Sequence, residues 1–311
     1  MKTHNSSMIK KKELMLNLVH LKRDMKEKRE QVNMLLDRFL PRKDDYPKEI
    51  HKAIRHTLFA GGKRLRPYLT ILTYELFKKK PNEEIFKAAA AIELLHTYTL
   101  IHDDLPEIDN DDIRRGKKTC HLVFGSNIAL LAGDALLIEA FNMLNHLNVP
   151  PHIKMAMVGS MAILAGERGL IAGQMQDILS EKSPATKATV DFIHLNKTAK
   201  LLQLCTRFGA YMADASSEEI KIVDEFGQKL GLAYQIIDDI LDVQSNSKVL
   251  GKTPGKDQKV KKATYPSIMS IDKSKKKAEL VSTNAINLLE NFGDDATLLR
   301  VFTDYLLQRI S

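Results

Sequence analysis

The sequence predicts an all-α fold with about ten helices in one bundle, and three observations support this. Apolar residues recur at three- and four-residue spacing over helix-length stretches. No segment between these stretches alternates between apolar and polar residues over a useful span. The 15 glycines and 10 prolines are too few for many short strands joined by turns. The predicted helices lie within residues 85–100, 128–147, 153–178, 189–212 and 218–243.

The chain is expected to form one folded domain over residues 31–311, preceded by a basic extension at residues 1–30. The extension is highly charged and weakly apolar, which predicts a surface helix with a frayed start. No linker rich in Gly, Ser or Pro divides the remainder, and no internal repeat is visible. A hydrophobic share of 44% is sufficient for a buried core.

The charge distribution argues against nucleic-acid binding. The net charge of +8 is concentrated in residues 1–30 and 248–277, which carry +5 and +8, whereas the rest of the chain is net −5. Trp is absent and aromatic residues make up only 6%, so a platform for stacking bases is not expected. Basic segments are most often solvated surface, and anion binding is the second interpretation.

Cysteine usage and the N-terminal sequence predict a cytoplasmic protein. Cys120 and Cys205 suit a reducing compartment and offer neither a disulfide framework nor a zinc cluster. The N-terminus has no apolar signal-peptide core, and its acidic residues argue against a transit peptide. The longest apolar run, residues 155–166, is too short to cross a bilayer, so no stable membrane insertion is expected.

The most informative stretch carries six carboxylates within the ten residues 103–112, directly after a predicted helix. Alone it could be a solvated loop, but like charges at this density repel one another unless cations offset them. Carboxylate oxygens gathered in this way suit Mg²⁺ or Ca²⁺, although the loop lacks the glycine and final Glu of an EF-hand. Pro106 disfavours helix at the preceding residue, so a looped segment could bring Asp109 back beside Asp103.

A second acidic cluster closes the last long apolar stretch at Asp238, Asp239 and Asp242. Asp238 and Asp242 are four residues apart and therefore share one helix face. Two such clusters, each at the end of an apolar helix, predict facing walls of a cavity that holds divalent cations.

Basic residues accompany both clusters. Each alone is more often solvent-facing charge, but together they supply the fixed cations that a diphosphate ligand requires. They occur in the sequence GGKRLRP at 61–67, and as Arg114, Arg115, Lys117, Lys197, Lys252 and Lys256.

These motifs, in this order, resemble the trans-isoprenyl diphosphate synthases, and most closely the bacterial-type farnesyl diphosphate synthases (geranyltranstransferases). The resemblance spans about residues 60–257 and continues into TYP at 264–266. Its motifs are GGKRLRP (61–67), HTYTLIHDDLPEIDNDDIRRGKKTCH (96–121), GDALL (133–137), GQMQD (173–177), KT (197–198), YQIIDDILD (234–242) and LGKTPGKD (250–257).

The resemblance implies a helical bundle around a deep central cavity, usually in a homodimer, with three Mg²⁺ ions per active site and Mn²⁺ as the alternative ion. Asp103 and Asp109 would hold two ions, with Asp104 as a helper, and Asp238 would hold the third, supported by Asp239 and Asp242. The substrates implied are isopentenyl diphosphate and an allylic diphosphate, dimethylallyl or geranyl. The implied contacts are Arg114, Lys197, Thr198, Gln235 and Lys252 for the allylic diphosphate, and Lys63, Arg66, His96 and Arg115 for isopentenyl diphosphate, with Gln174 and Asp177 in support.

The implied product is farnesyl diphosphate. A chain anchored at the metals would extend back along the helix that ends at Asp103, past Thr99 and Tyr98, which lie four and five residues earlier. In the resembling family, side-chain bulk at these positions limits product length. Tyr98 is large and Thr99 is small, which predicts a C15 product.

Three alternatives remain to be weighed. A geranylgeranyl diphosphate synthase of the same family would make a C20 product. A terpene cyclase has a single diphosphate substrate and no use for GGKRLRP and the paired arginines. A non-catalytic partner subunit of a heteromeric prenyl synthase typically lacks one acidic motif, whereas both are present here.

Overall fold

A computed structural model describes residues 2–182, 184–245 and 262–307, which form fourteen α-helices and one short strand pair. The all-α prediction is confirmed. The helices are α1 (Lys2–Phe39), α2 (Lys48–Leu58), α3 (Leu65–Glu75), α4 (Glu83–Asp103), α5 (Cys120–Phe124), α6 (Ser126–Asn145), α7 (Pro151–Ala165), α8 (Leu170–Ser180), α9 (Lys187–Ile193), α10 (Lys200–Met212), α11 (Ser217–Ser245), α12 (Tyr265–Ile268), α13 (Ile271–Leu288) and α14 (Thr297–Leu307).

Two irregular helical segments and a small hairpin complete the fold. A π-helical segment, His194–Ala199, joins α9 to α10, and a 3-10 segment, Leu289–Ala296, joins α13 to α14. Strand β1 (Ile113–Arg114) pairs antiparallel with β2 (Lys117–Lys118) just after the first acidic cluster.

Helix α1 packs on the bundle along one face. Leu21 and Val32 are buried and lie eleven residues apart, which is close to three full helical turns. Lys28 between them is also buried, and its Nζ donates a hydrogen bond to Glu75 on α3 over 2.6 Å. The predicted boundary at residue 30 therefore falls inside one continuous helix.

Helix α4 lies at the centre of the bundle and is mostly apolar around its circumference. Ala88, Ala89, Ala90 and Ala91 are fully buried, and α4 contacts α1, α3, α6 and α10. A helix that is apolar all round is stable only when neighbours enclose it. The acidic cluster at its C-terminal end is consequently fixed in place by the core.

The π-helical segment is held tightly between α8 and α11, and a glycine allows each approach. A Cβ at Gly173 of α8 would lie 2.2 Å from the backbone nitrogen of Lys197. A Cβ at Gly231 of α11 would lie 2.5 Å from the Cα of Ala199. A Cβ atom could not lie so close to another backbone, so only glycine fits at these two positions. The close approach of α8 and α11 fixes where Lys197 and Thr198 lie.

Helices α5 to α8 present an apolar face to solvent. Two stretches here, Ser126–Asn145 and Pro151–Ser180, are long and apolar enough to cross a bilayer by length and composition alone. Core helices of globular proteins meet the same criterion, and 39% of each window is buried. The large exposed apolar side chains include Leu131, Ile138, Met155, Ile163, Met175 and Leu179.

Candidate active site

The first acidic cluster forms a turn that returns on itself. Helix α4 ends at Asp103, and the backbone N–H of Asp109 donates to the carbonyl oxygen of Asp103 over 2.9 Å. The N–H groups of Ile108 and Asn110 both donate to the carbonyl of Leu105. The segment after Pro106 thus loops out and brings Asp109 back beside Asp103, as its sequence predicts.

The carboxylates of this turn have different environments. Burial raises the pKa of Asp103 to about 6; the ammonium of Lys197 opposes this and the charge of Asp109 adds to it. Asp104 is in a different situation, because its side chain is buried and its Oδ1 accepts from the Nε of Arg114 over 2.9 Å. Asp103 and Asp109 are therefore the pair that a cation would stabilise, while Asp104 holds Arg114.

The second acidic cluster divides in the same way. The side chain of Asp239 is buried, and its oxygens accept from Gln235 Nε2 over 3.1 Å and from the Tyr265 N–H over 3.0 Å. The ring Nε2 of His194 lies 2.7 Å from the same carboxylate. Asp239 is consequently engaged inside the protein. Asp238 is half-buried and Asp242 exposed on the same helix.

Two segments bridge the clusters. In the π-helical segment, Lys197 interacts electrostatically with Asp103 and Asp109, and its neighbour Thr198 donates to Gln235 Oε1 over 2.8 Å. The second segment is residues 262–265. Its Lys262 Nζ lies 3.3 Å from Asp109 Oδ1, and the Tyr265 N–H donates to Asp239 Oδ2. Because each of the two segments interacts with both clusters within a few residues of chain, the clusters lie in the same region of the bundle.

The KT motif is oriented from α8. Lys197 Nζ donates to Asp177 Oδ2 over 2.6 Å, and Gln174 lies one turn earlier on the same helix. The charges of Asp103, Asp177 and Asp109 outweigh burial and raise the pKa of Lys197. The ammonium therefore stays charged beside the first cluster.

The second group of predicted residues forms a separate basic centre around His96. Arg66 Nη1 lies 3.1 Å from His96 Nε2, and both side chains reach into the interior. Burial, with the charges of Arg66 and Arg115, holds the pKa of His96 well below its ordinary value, so the ring is neutral. Its Nε2 then accepts from Arg66, which places the proton on Nδ1.

Two buried donors of this centre have no hydrogen-bond partner among the described residues. They are His96 Nδ1 and Arg66 Nε. A buried donor without a partner costs about 1–3 kcal/mol. The donors, together with Arg115, which binds the carbonyl of Gly61 over 2.8 Å, are the groups that an anion would satisfy. The side chain of Lys63 is exposed and contacts α14, with its Nζ 5.8 Å from the ring centroid of Tyr305.

Tyr98 and Thr99 lie in the interior on α4, one turn before the first cluster. Tyr98 is 6% exposed, and its ring packs edge-to-face against His102 with centroids 5.2 Å apart. Thr99 donates to the carbonyl of His96 over 2.8 Å. Burial raises the pKa of Tyr98, to which Asp103 and Asp134 add.

The sequence reasoning missed three residues of these centres. Lys262 contacts Asp109, and the signal for it was a lysine placed just before TYP. Arg64 and Glu93 form a buried ion pair below His96. A carboxylate inside the apolar run of α4 was the signal for Glu93. Lys252, predicted to bind the allylic diphosphate, lies outside the described residues.

The donor set fits Mg²⁺. Among the described residues, no three Asp, Glu, His or Cys side chains converge closely enough to hold an ion by themselves. Mg²⁺ does not require this, because it keeps several waters and is usually bound by one or two carboxylates and substrate phosphates. The paired Asp103 and Asp109, with the raised pKa of Asp103, provide such a partial shell.

Comparisons with known proteins agree with this geometry. The polyprenyl synthetase family profile matches residues 47–302. A farnesyl diphosphate synthase from Geobacillus stearothermophilus is 38% identical over 288 residues, covering 92% of this chain and 96% of the relative. A geranylgeranyl diphosphate synthase from Cyanophora paradoxa is 41% identical over 286 residues, covering 91% and 94%.

A solved structure gives the same result for the fold. The geranyltransferase from Helicobacter pylori, complexed with magnesium and isoprenyl diphosphate, superposes with a TM-score of 0.80 at 30% identity. The match covers 92% of this chain and 96% of that one. With its two acidic clusters and separate basic centre on this fold, the chain belongs to the polyprenyl synthetase family, whose members transfer the prenyl group of an allylic diphosphate to isopentenyl diphosphate.

Proposed function

We propose that this chain is a farnesyl diphosphate synthase, which adds isopentenyl diphosphate to dimethylallyl and then to geranyl diphosphate. The observation that supports the proposal is a pair of charged centres, each suited to hold a diphosphate. One consists of the acidic pair Asp103 and Asp109 with Lys197, and the other of the Arg66 and His96 donors that have no partner among the described residues. A reaction that joins two diphosphate substrates requires both.

Charge stabilisation is the main catalytic requirement. Mg²⁺ bound by Asp103, Asp109 and Asp238, with three ions as the expected number and Mn²⁺ as the alternative, would supply positive charge to the departing diphosphate. Lys197 lies beside the same carboxylates and stays charged, so it would contact that diphosphate directly. Arg114, held by Asp104, would add a second fixed cation.

The chemistry then proceeds without a protein nucleophile. The allylic C–O bond breaks, and diphosphate leaves with the bonding electrons. The isopentenyl double bond attacks the resulting allylic cation and forms the new C–C bond. A proton is lost to the departed diphosphate, which restores an alkene. Arg66, Arg115 and neutral His96 hold isopentenyl diphosphate in place as hydrogen-bond donors, and binding both reactants in this way removes much of the entropic barrier.

Tyr98 supports the C15 product. Its buried ring lies one helical turn below Asp103, where a growing chain would pass. The second candidate is a C20 product, which the identity to the Cyanophora paradoxa synthase favours. A non-catalytic subunit is not favoured, because both acidic clusters are complete.

Product analysis tests the proposal. The purified protein is incubated with isopentenyl diphosphate, Mg²⁺ and dimethylallyl, geranyl or farnesyl diphosphate in turn, and the dephosphorylated products are separated by chromatography. The proposal expects C15 from the first two starters and little extension of the third. Mainly C20 would favour the second candidate, and an absence of product from every starter would contradict prenyl transfer.

We also propose a cytoplasmic homodimer that joins through the apolar face of α5 to α8. The exposed apolar side chains of that face support a partner surface of similar composition, which a second copy provides. Cys120 and Cys205 are both free and buried, which suits the cytoplasm.

A further inference from the structure

Glu93 is a buried carboxylate that the proposed reaction does not use. Its side chain is 1% exposed in the middle of α4, three residues before His96. A buried carboxylate costs several kcal/mol unless it is paired. Glu93 Oε1 accepts from Arg64 Nη1 over 2.5 Å and lies 3.4 Å from Arg115 Nη2.

Arg64 is enclosed by the protein, which accepts hydrogen bonds from three of its five N–H groups. Its side chain is 2% exposed. Its Nε donates to Asn33 Oδ1 over 2.9 Å, its Nη2 to the Leu58 carbonyl over 2.5 Å, and its Nη1 to Glu93. Arg64 adopts a left-handed backbone conformation, with φ of 52°, at the start of α3. It therefore anchors Glu93 rather than binding substrate.

Arg115 is held on two sides and remains oriented toward the basic centre. It lies in the tight turn between β1 and β2 with a φ of 53°. Its Nη1 donates to the Gly61 carbonyl over 2.8 Å and its Nη2 to Glu93. A Cβ at Gly62 would lie 2.9 Å from its Cζ, so the guanidinium rests directly against the glycine pair.

The neighbouring arginines repel Arg115, and Glu93 offsets that repulsion. Burial and the charges of Arg64 and Arg66 lower its pKa, and Glu93 opposes them. The charges of four guanidinium groups, those of Arg66, Arg115, Arg64 and Arg114, thus act on neutral His96, and Glu93 contacts Arg64 and Arg115. Without that carboxylate, the repulsion from Arg64 and Arg66 would drive the Arg115 side chain outward.

We propose that Glu93 is a positioning residue for isopentenyl diphosphate: anchored by Arg64, it fixes the guanidinium of Arg115 against the diphosphate. This inference rests on the proposed function, in which Arg115 contacts that substrate. The proposal predicts a change in substrate affinity opposite to the one that the loss of a negative charge alone would cause. Removing a negative charge near an anion site should tighten anion binding, whereas loss of positioning should weaken it.

The test compares Michaelis constants for the two substrates in E93Q and in the wild type. The expected result is a KM for isopentenyl diphosphate raised about 10- to 100-fold, which is the effect of losing one charge-assisted contact. The KM for geranyl diphosphate should change less than about twofold, because the Glu93 carboxylate binds Arg64 and Arg115, neither of which is assigned to the allylic diphosphate. A KM for isopentenyl diphosphate that is unchanged or lowered, or equal changes for both substrates, would overturn the proposal.

Two further variants separate positioning from folding. E93D keeps the charge but shortens the side chain. The contact of Glu93 with Arg115 is longer than its contact with Arg64, so the Arg115 contact should be lost first. A raised KM for isopentenyl diphosphate is again expected. E75Q removes a carboxylate from another largely buried ion pair, with Lys28, outside both centres and should leave both KM values unchanged. A wild-type KM in E93D would count against the proposal even where E93Q fails to fold.

A double-mutant cycle with R115M shows whether Glu93 acts through Arg115. In the R115M background, E93Q should have little additional effect on the KM for isopentenyl diphosphate. A full additional effect would mean that Glu93 acts elsewhere and would overturn the proposal. Calorimetric binding of isopentenyl diphosphate gives the same comparison without turnover. Failure of the proposed function would appear as wild-type protein that forms no product, whereas failure of this inference would appear as wild-type affinity in E93Q.

Discussion

Asp103 of the first acidic cluster and Asp239 of the second have opposite environments. Asp239 is enclosed by His194, Gln235 and the Tyr265 N–H, so its charge is compensated by the protein. Asp103 is half-buried beside Asp109, and desolvation raises its pKa to about 6, although the Lys197 ammonium opposes the shift. A carboxylate whose charge the folded protein compensates only in part is the one available to a cation.

Replacing Asp103 or Asp238 should therefore remove turnover without removing the fold. We expect D103N and D238N each to lower Mg²⁺-dependent kcat about a hundredfold or more, because electrostatic stabilisation of the leaving diphosphate is lost. The melting temperature of magnesium-free D103N should not fall, since desolvation disfavours the charge of Asp103 by more than Lys197 stabilises it. The matched control is D272N, at the exposed first turn of α13. Near-normal turnover of D103N at saturating Mg²⁺ would contradict the assignment.

Tyr98 is expected to limit product length. Y98A should open about one side chain of depth below Asp103 and shift the products from C15 toward C20 or longer. Chromatography of the dephosphorylated products measures the shift. T97A, at a buried neighbouring position whose hydroxyl donates to the Glu93 carbonyl, controls for a general loss of packing in α4. An unchanged C15 profile in Y98A would remove Tyr98 as the floor of the pocket.

At the scale of elements, glycine positions decide how closely the helices approach the site. In G173A the new Cβ would meet the backbone nitrogen of Lys197 at 2.2 Å. Backbone cannot move aside as a side chain can, so we expect a loss of about 1–3 kcal/mol in the free energy of unfolding. A displaced Lys197 should also lower kcat. Urea-induced unfolding and steady-state turnover measure the two effects.

Gly159 provides the matched control for this prediction. It is an exposed residue within α7, and a Cβ at this position would meet no side chain or neighbouring element within 4 Å in the part of the chain that the structure describes. Because Gly159 lies one turn from Met155 and Ile163 on the apolar face of α5 to α8, the comparison is made at a concentration at which the protein is monomeric. There G159A should stabilise the protein by about 0.5–1 kcal/mol through helix propensity and leave turnover unchanged. Equal stability changes in G173A and G159A would show that the close approach of α8 to the π-helical segment has no energetic importance.

The long helices could be predicted from periodicity because burial imposes it. The stretch 85–100 corresponds to α4, 128–147 to α6 and 218–243 to α11, each within three residues at the ends. The stretch 153–178 was wrong as a single helix, since it breaks between α7 and α8. The cause is local: a Cβ at Gly169 would lie 2.1 Å from the Leu164 carbonyl, and only glycine allows that turn.

Shorter elements gave no comparable signal. Strands β1 and β2 are two residues each, too short for any alternation to be detected. The π-helical segment lies inside the predicted stretch 189–212 and differs from α-helix only in its hydrogen bonding. Its position between Gly173 and Gly231 depends on packing partners that are distant in sequence.

At the scale of the whole molecule, the acidic clusters were predictable and the buried pairs were not. Six carboxylates within ten consecutive residues indicate a cation site from composition alone. The Arg64–Glu93 pair joins residues 29 apart, and the Lys262–Asp109 contact joins residues 153 apart. Only the folded bundle brings such partners together, so composition and spacing could indicate the presence of the site but not how it is held in place.

The apolar face of α5 to α8 leads to the last prediction. Ile138 on α6 is 65% exposed and Met155 on α7 is 69% exposed, among several similar side chains on adjacent helices. A twofold dimer through this face would bury Ile138 of both copies, so I138D would place two unpaired charges in one interface. We expect the wild type to sediment as a dimer at micromolar concentration and I138D as a monomer with retained helicity.

The matched control for the dimer is L280D. Leu280 lies on α13, outside the apolar face, and is 61% exposed, which is close to the value for Ile138. On a free surface either substitution should change stability by no more than about 0.5 kcal/mol, so any difference between the two variants reports on a covered face. Analytical ultracentrifugation of the three proteins decides the question. A monomeric wild type, or a dimeric I138D, would contradict association through α5 to α8; and wild-type protein that floats with lipid vesicles in a density gradient would assign the face to a bilayer instead.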